Sequence, residues 1–315
     1  MKDNLPASCP YCHCNQILKK WHSEKKRNAI TVLWCKNCGF GWQHPYPTED
    51  ELGKLYKNQG LYHEKIVDET QGGFPERIKK LNQFKPKKGN ILDIGSGMGH
   101  FLMHAQEVGW SVKGVEPRVA ASEYCYKNFG IKVYNGLFEE WSQKKLYDVI
   151  TLWDVVEHVH NPFHIVNKSI DMLAPGGLLV VSIPNASGLL ARSLKGNWRY
   201  VMRPHINYFT MTFIKTFLRQ RHLEILKMDH SIKAQSIFEG IISLFPSNID
   251  AEKIYRMTYQ QSECRDGDTF TSKIDIRSAV RKLILKFNML SYSLPIGDLV
   301  DIYCQKPIAN SPTNT

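Results

Sequence analysis

Hydrophobic and polar positions follow two different periods along the chain, and their alternation predicts strands separated by helices. Short apolar runs bounded by glycine, proline or polar residues predict buried strands, whereas apolar residues three and four positions apart predict amphipathic helices. Strands that alternate with helices are typical of a parallel sheet covered on both faces. The predicted strands are 90–94, 111–116, 131–134, 148–153, 177–182, 223–230 and 298–306, and the predicted helices are 99–109, 118–129, 161–173 and 210–221.

The most distinctive segment is ILDIGSGMGHFL, in which a buried strand runs into a glycine-rich turn and then a helix. Gly95, Gly97 and Gly99 allow a tight turn and a close approach of the backbone to a ligand. Asp93 precedes this turn, and Glu116 ends the second predicted strand. Open α/β sheets bind nucleotide-like cofactors at such a turn, and an acid at the end of the next strand accepts ribose hydroxyls. The Asp93 carboxylate suits a cofactor with an ammonium and a sulfonium better than it suits a pyrophosphate.

This order of acids and glycines resembles that of class I S-adenosylmethionine-dependent methyltransferases. YDVITLWDVVEHV resembles their fourth strand, LAPGGLLVVSIPN their fifth strand, and GDLVDIYCQKP their final antiparallel strand. The resemblance covers about residues 60–307 and implies an α/β fold with a doubly wound, mostly parallel, seven-stranded Rossmann-like sheet.

The same resemblance implies a role for each matching residue in binding S-adenosylmethionine. Asp93 would orient the methionine ammonium, Glu116 would accept the ribose hydroxyls, and Phe138 would contact the adenine. Asp154, which ends the fourth strand, would face the methyl group. The implied cofactor-binding residues are Asp93, Gly95, Ser96, Gly97, Gly99, Glu116, Phe138 and Asp154.

Two histidines and one glutamate are candidates for acid–base catalysis. Glu157 and His158 come just past the fourth strand, and His205 follows the fifth strand at the same sheet edge. An unperturbed histidine titrates near neutral pH, which suits a general base. The alternative is structural, with His158 capping a local helix and His205 ordering its loop.

Two C-x-x-C pairs near the amino terminus predict a small zinc ribbon. Cys9 and Cys12 form the first pair, and Cys35 and Cys38 form the second after 22 intervening residues. Four thiolates leave zinc no open coordination position, so the metal would be structural rather than catalytic. A segment this short needs the metal for its folding energy. Cys14 is a spare ligand that could replace one of the four.

The segments divide the chain into a ribbon, a lead-in and a main domain. The amino terminus has no apolar leader, and no apolar run is long enough to span a membrane. A cytoplasmic setting with reduced or metal-bound cysteines is therefore expected. The predicted boundaries are 1–45 for the ribbon, 46–88 for a linker and helical lead-in, 89–307 for the methyltransferase domain with a helical insertion at about 232–296, and 308–315 for a disordered tail.

The formal net charge is +11, and the positive charge is concentrated around the fifth strand. No Asp or Glu occurs from Met172 to Leu223. This segment is either a solvated basic face or the wall of a pocket for an anionic acceptor. A second basic segment, 276–287, has amphipathic helical spacing; it would cover its own sheet or make peripheral contact with an acidic membrane. The basic residues of the first segment are Arg192, Lys195, Arg199, Arg203, Lys215, Arg219 and Arg221.

These features predict methyl transfer from S-adenosylmethionine to a small-molecule or glycan-precursor acceptor that is anionic, with O-methylation preferred over N- or C-methylation. The ribbon-first order is similar to a bacterial family of zinc-ribbon-headed methyltransferases. The alternative is an RNA methyltransferase whose ribbon binds the nucleic acid. Methylation of an adenine amine is disfavoured because Asp154-Val155-Val156-Glu157 stands in place of an Asn/Asp-Pro-Pro-Tyr/Phe motif. A non-enzymatic scaffold is the third interpretation, and the intact acids and glycines argue against it.

Overall fold

The computed structural model describes residues 6–23, 29–58, 73–232 and 297–308. The strands are β1 (Ile17–Ser23), β2 (Ile30–Cys35), β3 (Phe40–His44), β4 (Asn90–Ile94), β5 (Ser111–Glu116), β6 (Val133–Asn135), β7 (Tyr147–Trp153), β8 (Leu173–Pro184), β9 (Asn207–Phe209), β10 (Glu224–Ser231) and β11 (Leu299–Gln305). The helices are α1 (Glu49–Asn58), α2 (Phe74–Phe84), α3 (His100–Glu107), α4 (Val119–Phe129), α5 (Pro162–Asp171), α6 (Leu189–Leu194) and α7 (Met211–Arg219), with 3-10 turns at Phe138–Glu140 and Lys195–Asn197.

Seven strands form the main sheet in the order β10–β11–β8–β7–β4–β5–β6. Strand β4 lies parallel to β5 and β7, whereas β11 lies antiparallel to both β8 and β10. The predicted doubly wound, mostly parallel, seven-stranded sheet is therefore confirmed, including its antiparallel last strand. Strand β8 begins four residues earlier than predicted, because its first residue, Leu173, already pairs with Tyr147 of β7.

Both faces of the main sheet carry a hydrophobic core. Successive side chains of a strand point to opposite faces. Ile91 and Val149 accordingly belong to one buried cluster, and their neighbours Leu92 and Ile150 belong to another. Near-continuous apolar strands such as β4 and β7 arise from this double burial.

The amino-terminal strands form a second, antiparallel sheet in the order β1–β2–β3–β9. Its last strand, β9, comes from the main part of the chain. Phe40, Gly41 and Trp42 pair with residues 209, 208 and 207 of β9 respectively. The cysteine-rich segment therefore shares a sheet with the main domain, a connection that the sequence pattern did not predict.

Aromatic side chains also join the two parts. The ring of Tyr11 lies 4.5 Å from that of Phe163 on α5 and 4.8 Å from that of Phe213 on α7. The ring of Phe40 lies 5.2 Å and 5.3 Å from the same two rings. Such pairs add stabilisation beyond the area that they bury, so the ribbon packs against the main domain through an apolar interface.

Three predicted features lie outside the described residues. They are the amphipathic helix 276–287, most of the insertion at about 232–296, and the carboxy-terminal tail beyond residue 308. Among the helices that the structure describes, none combines the length and the apolar content that crossing a lipid bilayer requires.

Candidate active site

The glycine-rich turn lies at the carboxyl edge of the main sheet, between β4 and α3. The backbone amides of Gly95 and Ser96 donate to the carbonyl oxygen of Val115 on β5, at 2.8 Å and 3.1 Å. All three glycines of the turn have positive φ, between +54° and +84°. At Gly99 a β-carbon would also lie 2.1 Å from the sulfur of Cys125. Both backbone conformation and space therefore require glycine there.

Asp93 is buried at the end of β4, directly before this turn. The Thr151 hydroxyl donates to its Oδ1 at 2.6 Å. Burial raises the pKa of the Asp93 carboxyl to about 7; the Thr151 bond and the charge of Arg77 oppose this rise, and the charge of Glu116 adds to it. A buried carboxylate with this pKa is well suited to a ligand that brings a positive charge.

Glu116 is buried at the end of β5 and faces the same turn. Its Oε2 accepts from the Gly97 amide at 2.8 Å, and its Oε1 accepts from the amide and Nε of Arg118 at 3.0 Å and 2.7 Å. The carboxylate thus joins the glycine turn to the start of α4, at the position where an acid can accept ribose hydroxyls.

Arg77 on α2 is a site residue that the sequence reasoning missed. Its Nε and Nη2 donate to the two carboxylate oxygens of Asp301 at 3.1 Å and 3.2 Å, and its guanidinium lies 4.2 Å from the Trp153 ring centroid. Ser182, 3.4 Å from Arg77 Nη2, donates to Asp154 Oδ1 at 3.0 Å. No motif marks Arg77; only its place on the inner face of an amphipathic helix could have indicated it.

Two other predicted cofactor residues have different surroundings. Asp154 directly follows β7 and is a non-glycine residue with φ +55°, a conformation that occurs often at functional sites. Phe138 is buried in the core with Trp141, and the Lys168 ammonium lies 4.9 Å from its ring centroid. The preceding Leu137 is 50% exposed. Contact between Phe138 and adenine stays a prediction.

The structure brings Glu157, His158 and His205 together. One ligand atom of each lies within 4.8 Å of those of the other two. The imidazoles of the two histidines meet edge to face with their centroids 4.6 Å apart, and His158 Nε2 lies 3.9 Å from Glu157 Oε1. His158 Nδ1 lies 2.9 Å from the Pro204 carbonyl oxygen, so Nδ1 carries the proton and Nε2 is the basic nitrogen. The cluster can take up a proton, and it also has the donor set of a metal site.

Arg199 and Tyr200 extend this cluster. The Tyr200 ring stacks on His205 with centroids 5.8 Å apart, and the Arg199 guanidinium lies 5.4 Å from the Tyr200 ring centroid. Within the described part of the chain, the buried Tyr200 hydroxyl and Arg199 Nη1 have no hydrogen-bond partner. Burial raises the pKa of the Tyr200 hydroxyl. Buried polar groups of this kind are costly unless a ligand satisfies them.

Not every basic residue of the segment from Met172 to Leu223 lies at this site. Arg221 stacks on Phe217 of α7, with 3.5 Å between the guanidinium carbon and the ring centroid, and it donates to the Phe217 carbonyl oxygen. Its charge contributes to packing beside the ribbon. Arg221 therefore lies outside the acid–base cluster, whereas Arg199 adjoins that cluster through Tyr200.

The four predicted zinc ligands converge at the amino-terminal end of the chain. Their sulfur atoms all lie within 4.8 Å of one another, with Cys9 and Cys38 3.8 Å apart and Cys12 and Cys35 3.4 Å apart. Four thiolates at a zinc–sulfur distance of about 2.3 Å stand about 3.8 Å from one another in a tetrahedron, so the sulfur spacing fits zinc. Cys14 lies outside this group.

Comparison with known proteins identifies one domain. The family model described as a methyltransferase domain matches residues 68–228. The chain is 26% identical to the ubiquinone biosynthesis O-methyltransferase of Rickettsia akari over 142 residues, which are 44% of this chain and 53% of that protein. It is 35% identical to the mitochondrial ubiquinone biosynthesis O-methyltransferase of Schizosaccharomyces pombe over 127 residues, 38% of this chain and 45% of that protein. The match thus spans about half the length of these curated relatives.

A solved structure shares the fold. It is the complex between the Trm112 methyltransferase activator of Haloferax volcanii and a protein described as a methyltransferase, with a TM-score of 0.52 and 12% identity. The superposition covers 84% of this chain and 100% of that chain. At this identity the likeness concerns the fold alone.

Proposed function

The chain belongs to the methyltransferase-domain family, and from this premise we propose that it transfers a methyl group from S-adenosylmethionine to the oxygen of an anionic small-molecule or glycan-precursor acceptor. The observation that carries the proposal is the position of the Glu157–His158–His205 cluster. Glu157 and His158 come just after β7, His205 packs against His158 from the segment before β9, and the donor-site acids Asp93 and Glu116 end β4 and β5. The carboxyl ends of parallel strands meet at one edge of such a sheet.

The donor site has the charges that this cosubstrate requires. Asp93 would hold the methionine ammonium, and Glu116 would accept the ribose hydroxyls and share its carboxylate with Arg118. Arg77, a half-buried cation that also pairs with Asp301, would complement the methionine carboxylate. The Ser96 hydroxyl and the Trp153 indole N–H, both buried, have no hydrogen-bond partner among the described residues, which supports a polar ligand in this place.

The acid–base cluster supplies what an acceptor hydroxyl needs. S-adenosylmethionine, when bound, provides a methyl group already activated on a sulfonium. His158 Nε2 would take the proton of the acceptor hydroxyl, because Nδ1 is committed to the Pro204 carbonyl oxygen. The Glu157 carboxylate, 3.9 Å from that Nε2, would stabilise the imidazolium that results. His205 packs edge to face against the His158 ring and would help to fix its orientation.

Arg199 and Tyr200 support an anionic acceptor. A buried guanidinium nitrogen without an acceptor is satisfied best by a carboxylate or phosphate oxygen. The Tyr200 hydroxyl would donate to the same group. The choice of oxygen as the methylated atom follows the relatives, which are named as O-methyltransferases.

The four-cysteine group would bind one structural zinc ion. The sulfur spacing supports this assignment. His13, directly after the first pair, departs from the glycine that is common there, but its φ of +57° lies in the left-handed region that glycine favours. Zinc would join the turn after Cys9 to the turn after Cys35 and so fix the strands between them.

A labelling experiment tests the proposed reaction. The full-length protein would be incubated with methyl-labelled donor and with pools of hydroxylated aromatic acids, nucleotide sugars, glycans and RNA. We expect label in an acidic small molecule or glycan precursor and a loss of at least about a hundredfold in kcat for His158→Asn and Glu157→Gln. The matched control is His164→Asn, an exposed position on α5. Label in RNA alone, or full activity in both cluster variants, would contradict the proposal.

A further inference from the structure

The zinc-ribbon segment makes direct contact with the loops that carry the acid–base cluster. The contact begins one residue after the fourth cysteine, where the Thr210 hydroxyl donates to the Gly39 carbonyl oxygen at 3.1 Å. It continues along the pairing of β3 with β9 and ends where the Gln43 amide donates to the Ile206 carbonyl oxygen at 2.9 Å. Ile206 is the residue next to His205. The ribbon sheet therefore reaches the base of the cluster.

Asn207 connects the ribbon sheet to the loop from 156 to 159, which follows β7. It is the first residue of β9 and is only 2% exposed. Its side-chain amide donates to the carbonyl oxygens of Val156 and Val159 at 3.0 Å and 2.7 Å. The backbone amides of Ile206 and Asn207 both donate to the Glu157 carbonyl oxygen, at 2.9 Å and 3.1 Å. The loop from 156 to 159, which holds Glu157 and His158, is thus fixed by hydrogen bonds from the strand that completes the ribbon sheet.

Tyr46, on the ribbon side, forms hydrogen bonds to Asn207 and to the residue after the loop. Its hydroxyl donates to Asn207 Oδ1 at 2.7 Å and lies 3.1 Å from the His160 carbonyl oxygen. Tyr46 follows β3 by two residues, so the chain leaving the ribbon is attached to His160, directly after the loop, and through Asn207 to Val156 and Val159. Both N–H donors of the Asn207 side chain are used, and its Oδ1 accepts the bond from Tyr46.

We infer that Asn207 and Tyr46 are positioning residues through which the ribbon holds Glu157 and His158 in the geometry needed for proton transfer. The inference rests on the proposed function, and it gives the ribbon a role in the reaction rather than in nucleic-acid binding. Beyond the turn bond from the His158 amide to the Val155 carbonyl oxygen at 2.9 Å, the backbone groups of this loop described above are paired with β9, so the geometry of the loop depends on these outside partners. Displacing a catalytic group by about 1 Å costs on the order of a hundredfold in rate.

The test compares Tyr46→Phe and Asn207→Ala with Tyr126→Phe, a matched control whose tyrosine is 56% exposed. Tyr46→Phe keeps the ring that meets the His160 imidazole edge to face at 4.9 Å and removes only the hydroxyl. We expect kcat to fall at least about tenfold in Tyr46→Phe and further in Asn207→Ala. The donor Kd, measured by calorimetry, should stay within about twofold in both, because neither residue touches the donor site. Unchanged kcat, or a parallel loss of donor affinity and kcat, would overturn the inference.

A second readout does not depend on turnover. The imidazole of His158 would be titrated by NMR in the wild type and both variants, with His164 as the internal reference. We expect the His158 titration midpoint to move in the variants and that of His164 to stay. Superposable His158 titrations would overturn the inference. A wild type that binds no donor would instead refute the proposed function, and the two failures are thereby distinguished.

Discussion

Replacing Asp93 by asparagine removes the ionisable group of a buried carboxyl. We expect this change to alter how the stability of the protein depends on pH. Burial raises the pKa of this carboxyl from 3.8 to about 7. The folded state binds the proton more tightly than the unfolded state. The contribution of the protonated carboxyl to the free energy of unfolding is therefore complete below pH 3.8 and is lost as pH rises through about 7. Each pKa unit corresponds to about 1.36 kcal/mol, so the loss amounts to about 4 kcal/mol in total and about 3 kcal/mol between pH 4.5 and 8. The amide of the Asp93→Asn variant would keep the hydrogen bond from Thr151 and carry no such dependence.

Urea unfolding of the wild type and Asp93→Asn across pH 4.5 to 8 measures this difference. We expect the variant to gain about 3 kcal/mol in free energy of unfolding relative to the wild type over that range. Calorimetry at pH 8 should show donor binding at least about tenfold weaker in the variant, because the ammonium loses its carboxylate partner. Asp171→Asn, at an exposed position on α5, is the control. Stability curves that run parallel for wild type and Asp93→Asn would refute the assignment of a buried, ionisable acid at the donor site.

Three further predictions concern other parts of the molecule. Metal analysis should find about one zinc per chain, lost in Cys35→Ser and retained in Cys14→Ser; a folded, metal-free wild type would contradict the ribbon. Gly99→Ala should lower the free energy of unfolding by about 2 kcal/mol, because the residue has positive φ and its β-carbon would meet a sulfur at 2.1 Å; unfolding at the wild-type urea concentration would refute this. Arg199→Gln should raise the acceptor KM about tenfold or more with donor Kd unchanged, whereas Arg192→Gln, at an exposed site, should not; equal KM values in the two variants would exclude Arg199 from acceptor binding.

Sequence reasoning correctly placed the features that depend only on neighbouring residues. Strand β4 has the predicted bounds, and the glycines after it have the positive φ that a tight turn requires. Each of these features depends on neighbours within a few positions.

Arg77, Tyr200 and Asn207 could not be found in the same way. Arg77 reaches Asp301 across 224 positions of sequence, and Tyr46 reaches Asn207 across 161. Nothing in the residues beside them marks these partners. Strand β9 is three residues long and has no hydrophobic period of its own; it is a strand because β3 offers it hydrogen bonds.

The sequence alone therefore determined the alternation of strands and helices, the glycine turn with its two acids, and the two cysteine pairs. These features follow from side-chain period, backbone freedom and ligand spacing, which are properties of short segments. Only the tertiary structure decided that the ribbon completes its sheet with β9, that Arg199 adjoins the cluster whereas Arg221 packs on α7, and that burial raises the pKa of Asp93 to about 7. Strand pairing, side-chain burial and interactions between charges depend on which distant segments come into contact. Packing of the hydrophobic core in the folded chain determines those contacts.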